Sequence, residues 1–230
     1  MMDIYILENS ETQLIPETFC HRLFPERMKK AERYLKADDR LMCIGAGLLI
    51  SLIARVNESE IYISECGKPY AKNGIFFNVS HSGNCAALAF GGHETGIDIE
   101  KINGDNLYLA EHIFTKQELQ WVNTDPVTRF HILWSIKESV LKAAGTGLYS
   151  SVTLPEVYPE TNHVCVNGMT YYFNYGIFEN KSIAVSSTVD TGKLHIKKIS
   201  ADEIMNGCFE RKNEDNDLQM SKKYQTAQTK

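Results

Sequence analysis

Twice along this chain a group of helix-forming segments gives way to a group of strand-forming ones, and that order limits the fold more than any other feature. Helices segregated from strands read as α+β, not as an alternating α/β or an all-helical chain. In the first stretch the pattern predicts a strand at Asp3–Leu7 and short helices at Pro16–Leu23 and Pro25–Lys36, the second with proline at its start. A longer helix is predicted over Asp38–Arg55, apolar nearly all round at its centre and therefore a core element. Strands at Glu60–Ser64, Ile75–Val79, Asn84–Phe90 and Thr95–Lys101 follow, parted by glycine turns. The second stretch repeats the order. Helices are predicted at Asp105–His112, Thr115–Val122 and Pro126–Ala144, then strands at His163–Val166, Met169–Glu179, Lys181–Val189 and Lys193–Ile199. The expected division is an α+β half at 1–102, a second at 103–205, and a polar, aperiodic tail at 206–230 expected to be disordered. No internal sequence repeat accompanies the repeated order.

Composition narrows the function classes. At about 100–200 residues per domain, 230 residues make one large domain or two small ones sharing a core. A net charge of −5 argues against a general nucleic-acid binder, which would show a dominant basic footprint. The average conceals a cationic strip, however. From His21 to Arg40 there are seven basic residues against four acidic ones, so the strip is +3 and the remainder −8. A cationic strip on an acidic body suggests a local anionic ligand. The N-terminal MMDIYILENS lacks the basic and apolar regions of a secretory signal, and the apolar run Leu41–Ala54 is short of the roughly 20 residues a bilayer needs. Six cysteines (20, 43, 66, 85, 165 and 208) form no CxxC pair, so they read as buried free thiols of a cytoplasmic protein. Zinc is not indicated, and the sequons at Asn57, Asn78 and Asn180 are read as chance.

Four local patterns could carry chemistry. In Gly96-Ile97-Asp98-Ile99-Glu100, strand alternation puts Asp98 and Glu100 on one face. Paired carboxylates repel, and a divalent cation or a shared proton relieves them; the plainer alternative is an edge strand with its polar face in water. In the helix Pro126–Ala144, Phe130, Leu133, Trp134, Val140, Leu141 and Ala144 share an apolar arc, and Glu138 and Lys142 lie one turn apart on its shoulder. They make either a solvated i,i+4 pair or a carboxylate and a lysine facing a cleft. Lys137 falls inside the apolar arc, explained only by snorkelling. Phe76–Gly83 runs an apolar strand into Ser80-His81-Ser82-Gly83, donors suited to phosphate oxygens or simply a capping turn. A serine hydrolase is excluded: there is no G-x-S-x-G, and adjacent Ser80 and His81 cannot face each other. Gly67-Lys68-Pro69-Tyr70 is a tight turn that presents a lysine.

In order, Gly67-Lys68-Pro69, FNVSHSG, GIDIEK, the F-x-x-x-E stretch Phe114–Glu118 and WSIKESVLKAAGTGL resemble the 4′-phosphopantetheinyl transferase superfamily, and closely its Sfp-like type, which activates nonribosomal peptide and polyketide synthases of antibiotic biosynthesis. The resemblance implies a pseudo-twofold monomer of two α+β half-domains with the active site between them. It implies Mg²⁺ held by Asp98, Glu100 and Glu138, with Lys142 reaching the coenzyme A pyrophosphate. Ser80 and His81 match the phosphate-binding pair, and Lys68 with Pro69 the turn beside the adenine nucleotide. Arg27 and Lys30 fall near the 3′-phosphate. Met42 stands near a position that is threonine in the best-studied type, with Arg40 a possible substitute, and Glu118 is the family's helix glutamate in a supporting role.

The implied enzyme is a holo-[acyl-carrier-protein] synthase type transferase. It moves the phosphopantetheine arm of coenzyme A onto a serine of an acyl or peptidyl carrier protein and releases 3′,5′-ADP. The base is Glu138, or a hydroxide it orients on the metal. The carrier is expected to dock at Asp105–Val122, where Leu107, Leu109 and Phe114 are apolar, with core packing the expected use of Phe114. Neither nucleic acid nor membrane is an expected partner. Two rival readings remain: a Mg²⁺-dependent coenzyme A or nucleotide pyrophosphate hydrolase, and a non-catalytic carrier-binding module.

Overall fold

The computed structural model describes residues 2–8, 25–147 and 154–206. The helix expected at Pro16–Leu23 and the tail beyond 206 lie outside the described residues.

Strand β1 (Asp3–Glu8) is followed by α1 (Pro25–Ala31) and α2 (Ala37–Leu48). Then come β2 (Ile61–Ile63), β3 (Pro69–Ala71), β4 (Phe76–Ser82), β5 (Cys85–Gly91) and β6 (Thr95–Lys101). The second stretch opens with a 3₁₀ turn at Leu107–Leu109, then α3 (Ala110–Ile113), α4 (Lys116–Val122) and α5 (Pro126–Ala144). It closes with β7 (His163–Val166), β8 (Met169–Phe178), β9 (Lys181–Ser187), β10 (Ile196–Ile199) and α6 (Ala201–Asn206). The mixture of helix and sheet is the expected α+β class. Among the described residues no helix is long and apolar enough to cross a membrane.

Two four-stranded sheets form, in the orders β10-β1-β5-β4 and β6-β9-β8-β7, and β2–β3 is a separate hairpin. The helix expected at Asp38–Arg55 keeps α geometry only to Leu48. It then widens into a π turn at Leu49–Ile53, where the Ala54 N–H reaches back to the Leu49 carbonyl, and stops at Arg55 with φ 55°. Tyr5, Leu7, Ala86 and Leu88 of the first sheet pack under α2. The alternate residues Ile4, Ile6, Ala87 and Ala89 meet Ile97, Ile99, Ile183 and Val185 of the second sheet in a shared core. Beyond the second sheet lies α5, with Leu133, Ile136 and Val140 buried on Phe173 and Ala184.

The partition at residue 102 differs from this topology. β6 precedes that boundary but pairs antiparallel with β9, and β10, near the end of the described chain, pairs parallel with β1. Each sheet thus takes one strand from the other side of the expected boundary. The alternation of β6 fixes which of its faces is buried and does not name a partner strand. The cysteines depart from expectation as well: Cys43 and Cys85 are buried, but Cys66 and Cys165 are exposed.

Local chemistry fixes the two helices that carry the site. Asp125 caps α5 by accepting from the Thr128 N–H, Pro126 opens it, and Gly145 at φ 70° closes it. In α4, Thr115 and Glu118 exchange side-chain and backbone bonds in a capping box. Where α5 crosses β6, a Cβ on Gly96 would lie 2.0 Å from the Ser139 carbonyl oxygen and 2.4 Å from the Ala143 nitrogen. Only glycine lets helix and strand approach this closely.

Candidate active site

The edges of the two sheets, β4 and β6, lie side by side under the C-terminal half of α5. Asp98 is buried there at 3% exposure. Its Oδ1 accepts from the Ser80 hydroxyl at 2.9 Å and from Lys142 Nζ at 2.7 Å. Lys142 donates also to Ser80 Oγ at 3.1 Å and to the Ile97 carbonyl at 3.2 Å, which uses all three of its protons. Glu100, the next residue on the Asp98 face of β6, accepts from the Ser82 hydroxyl at 3.1 Å. Burial and then the Asp98 charge push the Glu100 carboxyl up to about 7, against the hydrogen bonds of Ser82 and Trp134. Glu138, one turn before Lys142, is pushed up to about 6 by burial, with Lys142 opposing and Asp98 adding to the rise.

Two carboxylate oxygens here, Asp98 Oδ2 and Glu138 Oε1, are buried and have no hydrogen-bond partner among the described residues. Hard oxygen donors with spare valence, beside a carboxyl whose charge its neighbour opposes, are the donor set a divalent cation such as Mg²⁺ takes. Among the described residues, however, no three His, Cys, Asp or Glu side chains already converge as a metal cage. The ammonium of Lys142 is the cation that Asp98 holds. Asp98, Glu100, Glu138 and Lys142, named from sequence, thus come together with Ser80.

The other residues named from sequence are more scattered. His81 is exposed, its ring edge-on to Tyr34 at 6.3 Å between centroids. Desolvation first, then the charges of Lys142 and Lys30, push its imidazole down, with Asp39 and Asp98 opposing. Lys30 is exposed on α1. Arg27 points inward and is held by Glu58 at 2.6 Å. Arg40 is exposed and donates to the Tyr34 carbonyl. Met42 is buried in the α2 core and faces no solvent.

Lys68 does not project from its turn. It is buried, paired with Glu94, and donates to the Ala143 carbonyl at the end of α5. Burial pushes its pKa down, with Glu94 opposing. Its neighbour Pro69 begins β3. Phe114 is buried in the α5 core, Leu107 and Leu109 pack partly against that core, and Tyr108 between them is 73% exposed.

Sequence reasoning left Lys137 unexplained, and the structure supplies its reason. Lys137 Nζ lies 2.6 Å from Glu118 Oε1 and donates to the Pro155 carbonyl, with both side chains of the pair essentially inaccessible. Glu118 also accepts from the backbone N–H groups of Thr115 and Val157. The signal was present in the sequence: a lysine inside an apolar arc requires a buried partner.

The stretch that matters for the comparison runs from the residue before β6 through α5 to the start of β9. Residues 94–182 match the 4′-phosphopantetheinyl transferase superfamily. Over part of its length the chain is similar to Sfp-like 4′-phosphopantetheinyl transferases. It is 34% identical over 134 residues to the 4′-phosphopantetheinyl transferase gsp of Aneurinibacillus migulanus, covering 54% of this chain and 56% of that one. To the 4′-phosphopantetheinyl transferase Sfp of Bacillus subtilis (strain 168) it is 36% identical over 144 residues, 57% of this chain and 64% of the relative. A putative 4′-phosphopantetheinyl transferase of Haemophilus influenzae is 31% identical over 160 residues, 63% and 65% of the two chains. The chain thus spans about three fifths of the length of the curated relatives it matches. Asp98, Glu100, Glu118, Glu138 and Lys142 lie inside the matched stretch, whereas Ser80, His81, Lys68 and the basic residues of α1 precede it.

Proposed function

We propose that this chain transfers the 4′-phosphopantetheine group of coenzyme A to a serine of an acyl or peptidyl carrier protein, releasing 3′,5′-ADP, as a monomer of the holo-[acyl-carrier-protein] synthase type. The observation that carries this reading is the Asp98–Ser80–Lys142 cluster with the Glu138 oxygen beside it, of which Asp98, Glu138 and Lys142 fall inside the stretch that matches the transferase superfamily. Asp98, Glu100 and Glu138 would hold Mg²⁺. When bound, the ion supplies positive charge against the coenzyme A pyrophosphate and the charge that develops on its departing phosphate.

The chain's own residues do the remainder. Glu138, with a free oxygen and a pKa near neutrality, accepts the proton of the carrier serine as its Oγ attacks phosphorus. The bond from phosphorus to the 3′,5′-ADP oxygen breaks, and Lys142, released from Asp98, neutralises that oxygen. His81 binds phosphate oxygens at the rim and buried Ser80 from within the Asp98 cluster, with exposed Lys30 adding charge for the nucleotide. Arg27 steadies α1 through Glu58, and Arg40 contributes long-range charge. Pro69 lines the nucleotide turn that buried Lys68 fixes to the end of α5. The carrier docks near the exposed Tyr108 between Leu107 and Leu109.

The test is mass spectrometry of apo-carriers incubated with coenzyme A, Mg²⁺ and the protein. The wild-type chain adds the phosphopantetheine mass. Asp98→Ala, folded by circular dichroism, loses at least about a hundredfold in rate, and chelation of Mg²⁺ does the same. A fully active Asp98→Ala variant, or nucleotide release in the absence of any carrier, would defeat the proposal.

A further inference from the structure

Among the described residues β4 and β6 lie edge to edge without a backbone ladder: β4 pairs with β5, and β6 with β9. Side chains take the place of that ladder. Residues 78, 80 and 82 point to one side of β4, as alternate strand residues must, and all three reach β6. Asn78 Oδ1, buried, accepts from the Ile97 N–H at 3.1 Å. Ser80 donates to Asp98. Ser82 Oγ accepts from the Lys101 N–H at 3.0 Å and donates to Glu100 Oε2 at 3.1 Å. The main chain of β6 is therefore clamped at 97 and at 101, on either side of the two carboxylates.

A hydroxyl carries a single proton and can accept while it donates. At Ser82 the strand N–H sets the hydroxyl's direction, and the hydroxyl sets the Glu100 carboxylate. Alanine would lose both bonds, and threonine would keep both. Ser82 differs from Ser80 in that it touches neither Lys142 nor Asp98.

We infer that Ser82 is a positioning residue: it aims the Glu100 carboxylate into the cation site, with Asn78 holding the other end of the same strand. The inference rests on the metal reading given under Proposed function. Outer partners of metal-binding carboxylates typically control affinity by 10–100-fold, so the effect belongs in metal binding as well as in turnover.

The experiment titrates the full chain with Mn²⁺ alone and reads free Mn²⁺ by electron paramagnetic resonance, with no coenzyme A or carrier present. Ser82→Ala should weaken Mn²⁺ binding by about tenfold or more while the melting curve stays cooperative. Ser82→Thr should return affinity to within about threefold of wild type, and this conservative variant carries the test should the alanine variant fold poorly. Wild-type affinity in Ser82→Ala, or a folded threonine variant that binds Mn²⁺ as weakly as an Asp98→Ala control, overturns the positioning role. If Asp98→Ala abolishes Mn²⁺ uptake and Ser82→Ala keeps wild-type affinity, only this inference falls. If Asp98→Ala takes up Mn²⁺ like wild type, the metal reading falls and the positioning role with it.

Discussion

Glycine at position 96 and glutamate at position 138 show how single residues set the chemistry. A methyl group on residue 96 has no room against the Ser139 carbonyl and the Ala143 nitrogen, and both are backbone atoms that cannot rotate away. Gly96→Ala must push α5 off β6, the contact that brings Glu138 and Lys142 to Asp98. Overpacking of this kind costs about 1–3 kcal/mol or more, so the urea midpoint should fall, and carrier modification should fall further than stability alone explains. Glu138→Gln keeps the shape and removes the proton acceptor. Its turnover should drop about 10²–10⁴-fold, with coenzyme A binding, followed by calorimetry, within a few-fold of wild type. A loss of binding with unchanged turnover would reassign Glu138 to the ground state. Much of this was legible in the sequence, because alternation places Asp98 with Glu100 and helical spacing places Glu138 with Lys142. The destinations of Lys68 and Arg27 were not. Their partners Glu94 and Glu58 lie 26 and 31 residues away, and nothing in a local pattern marks a cation as already spoken for.

Elements behave in the same way: their limits are written locally and their partners are not. α5 runs from Pro126 to Ala144 as predicted, because an aspartate cap, an N-terminal proline and a C-terminal glycine mark both ends. The π turn after α2 left no trace, since a uniformly apolar run satisfies either winding. The exchange of β6 and β10 between the sheets was equally invisible, because strand alternation fixes which face is buried and not which neighbour is chosen. Between α4 and α5 the tie is the buried Lys137–Glu118 pair. Removing one partner of such a pair typically costs about 3–5 kcal/mol, because the other charge stays buried. Lys137→Met should therefore destabilise by about that amount in urea unfolding. Lys137→Met with Glu118→Gln should recover part of the loss, although Gln offers one acceptor oxygen where Glu118 serves two backbone N–H groups. Costs that simply add would show that the two residues stabilise the chain independently.

For the molecule as a whole, the question is what keeps two sheets together when they share an apolar core but join at β4 and β6 through side chains. At the opposite end of the first sheet, Glu8 of β1 receives Lys181 of β9 at 3.1 Å and Lys198 of β10 at 2.6 Å. Lys198 and Lys181 both approach Glu179 as well, at 2.9 and 3.5 Å, in the turn before β9. Glu8 therefore ties both sheets to the strand that crossed the expected boundary. Burial alone would raise its pKa, but hydrogen bonds from Lys198 and Lys181 outweigh this and hold it at about 2. Hydrogen bonds that Lys198 donates to Glu8 and Glu179 push its pKa up to about 12. The signs follow directly. Because the folded pKa of Glu8 is depressed, its stabilisation is complete above about pH 4.5 and fades as pH falls toward 2. Because that of Lys198 is raised, its share is complete below about pH 10.5 and fades as pH rises toward 12. Glu8→Gln removes the anion that both cations share. Surface-accessible pairs contribute up to about 1 kcal/mol, which corresponds to about 2–4 °C in a chain of this size. The variant should melt lower than wild type by that margin at pH 7. The gap should close on acidification between pH 4.5 and 2, and shrink again above pH 10.5. A gap that stayed constant from pH 7 down to 2 would show that Glu8 acts by packing, and that the shared apolar core alone holds the sheets together.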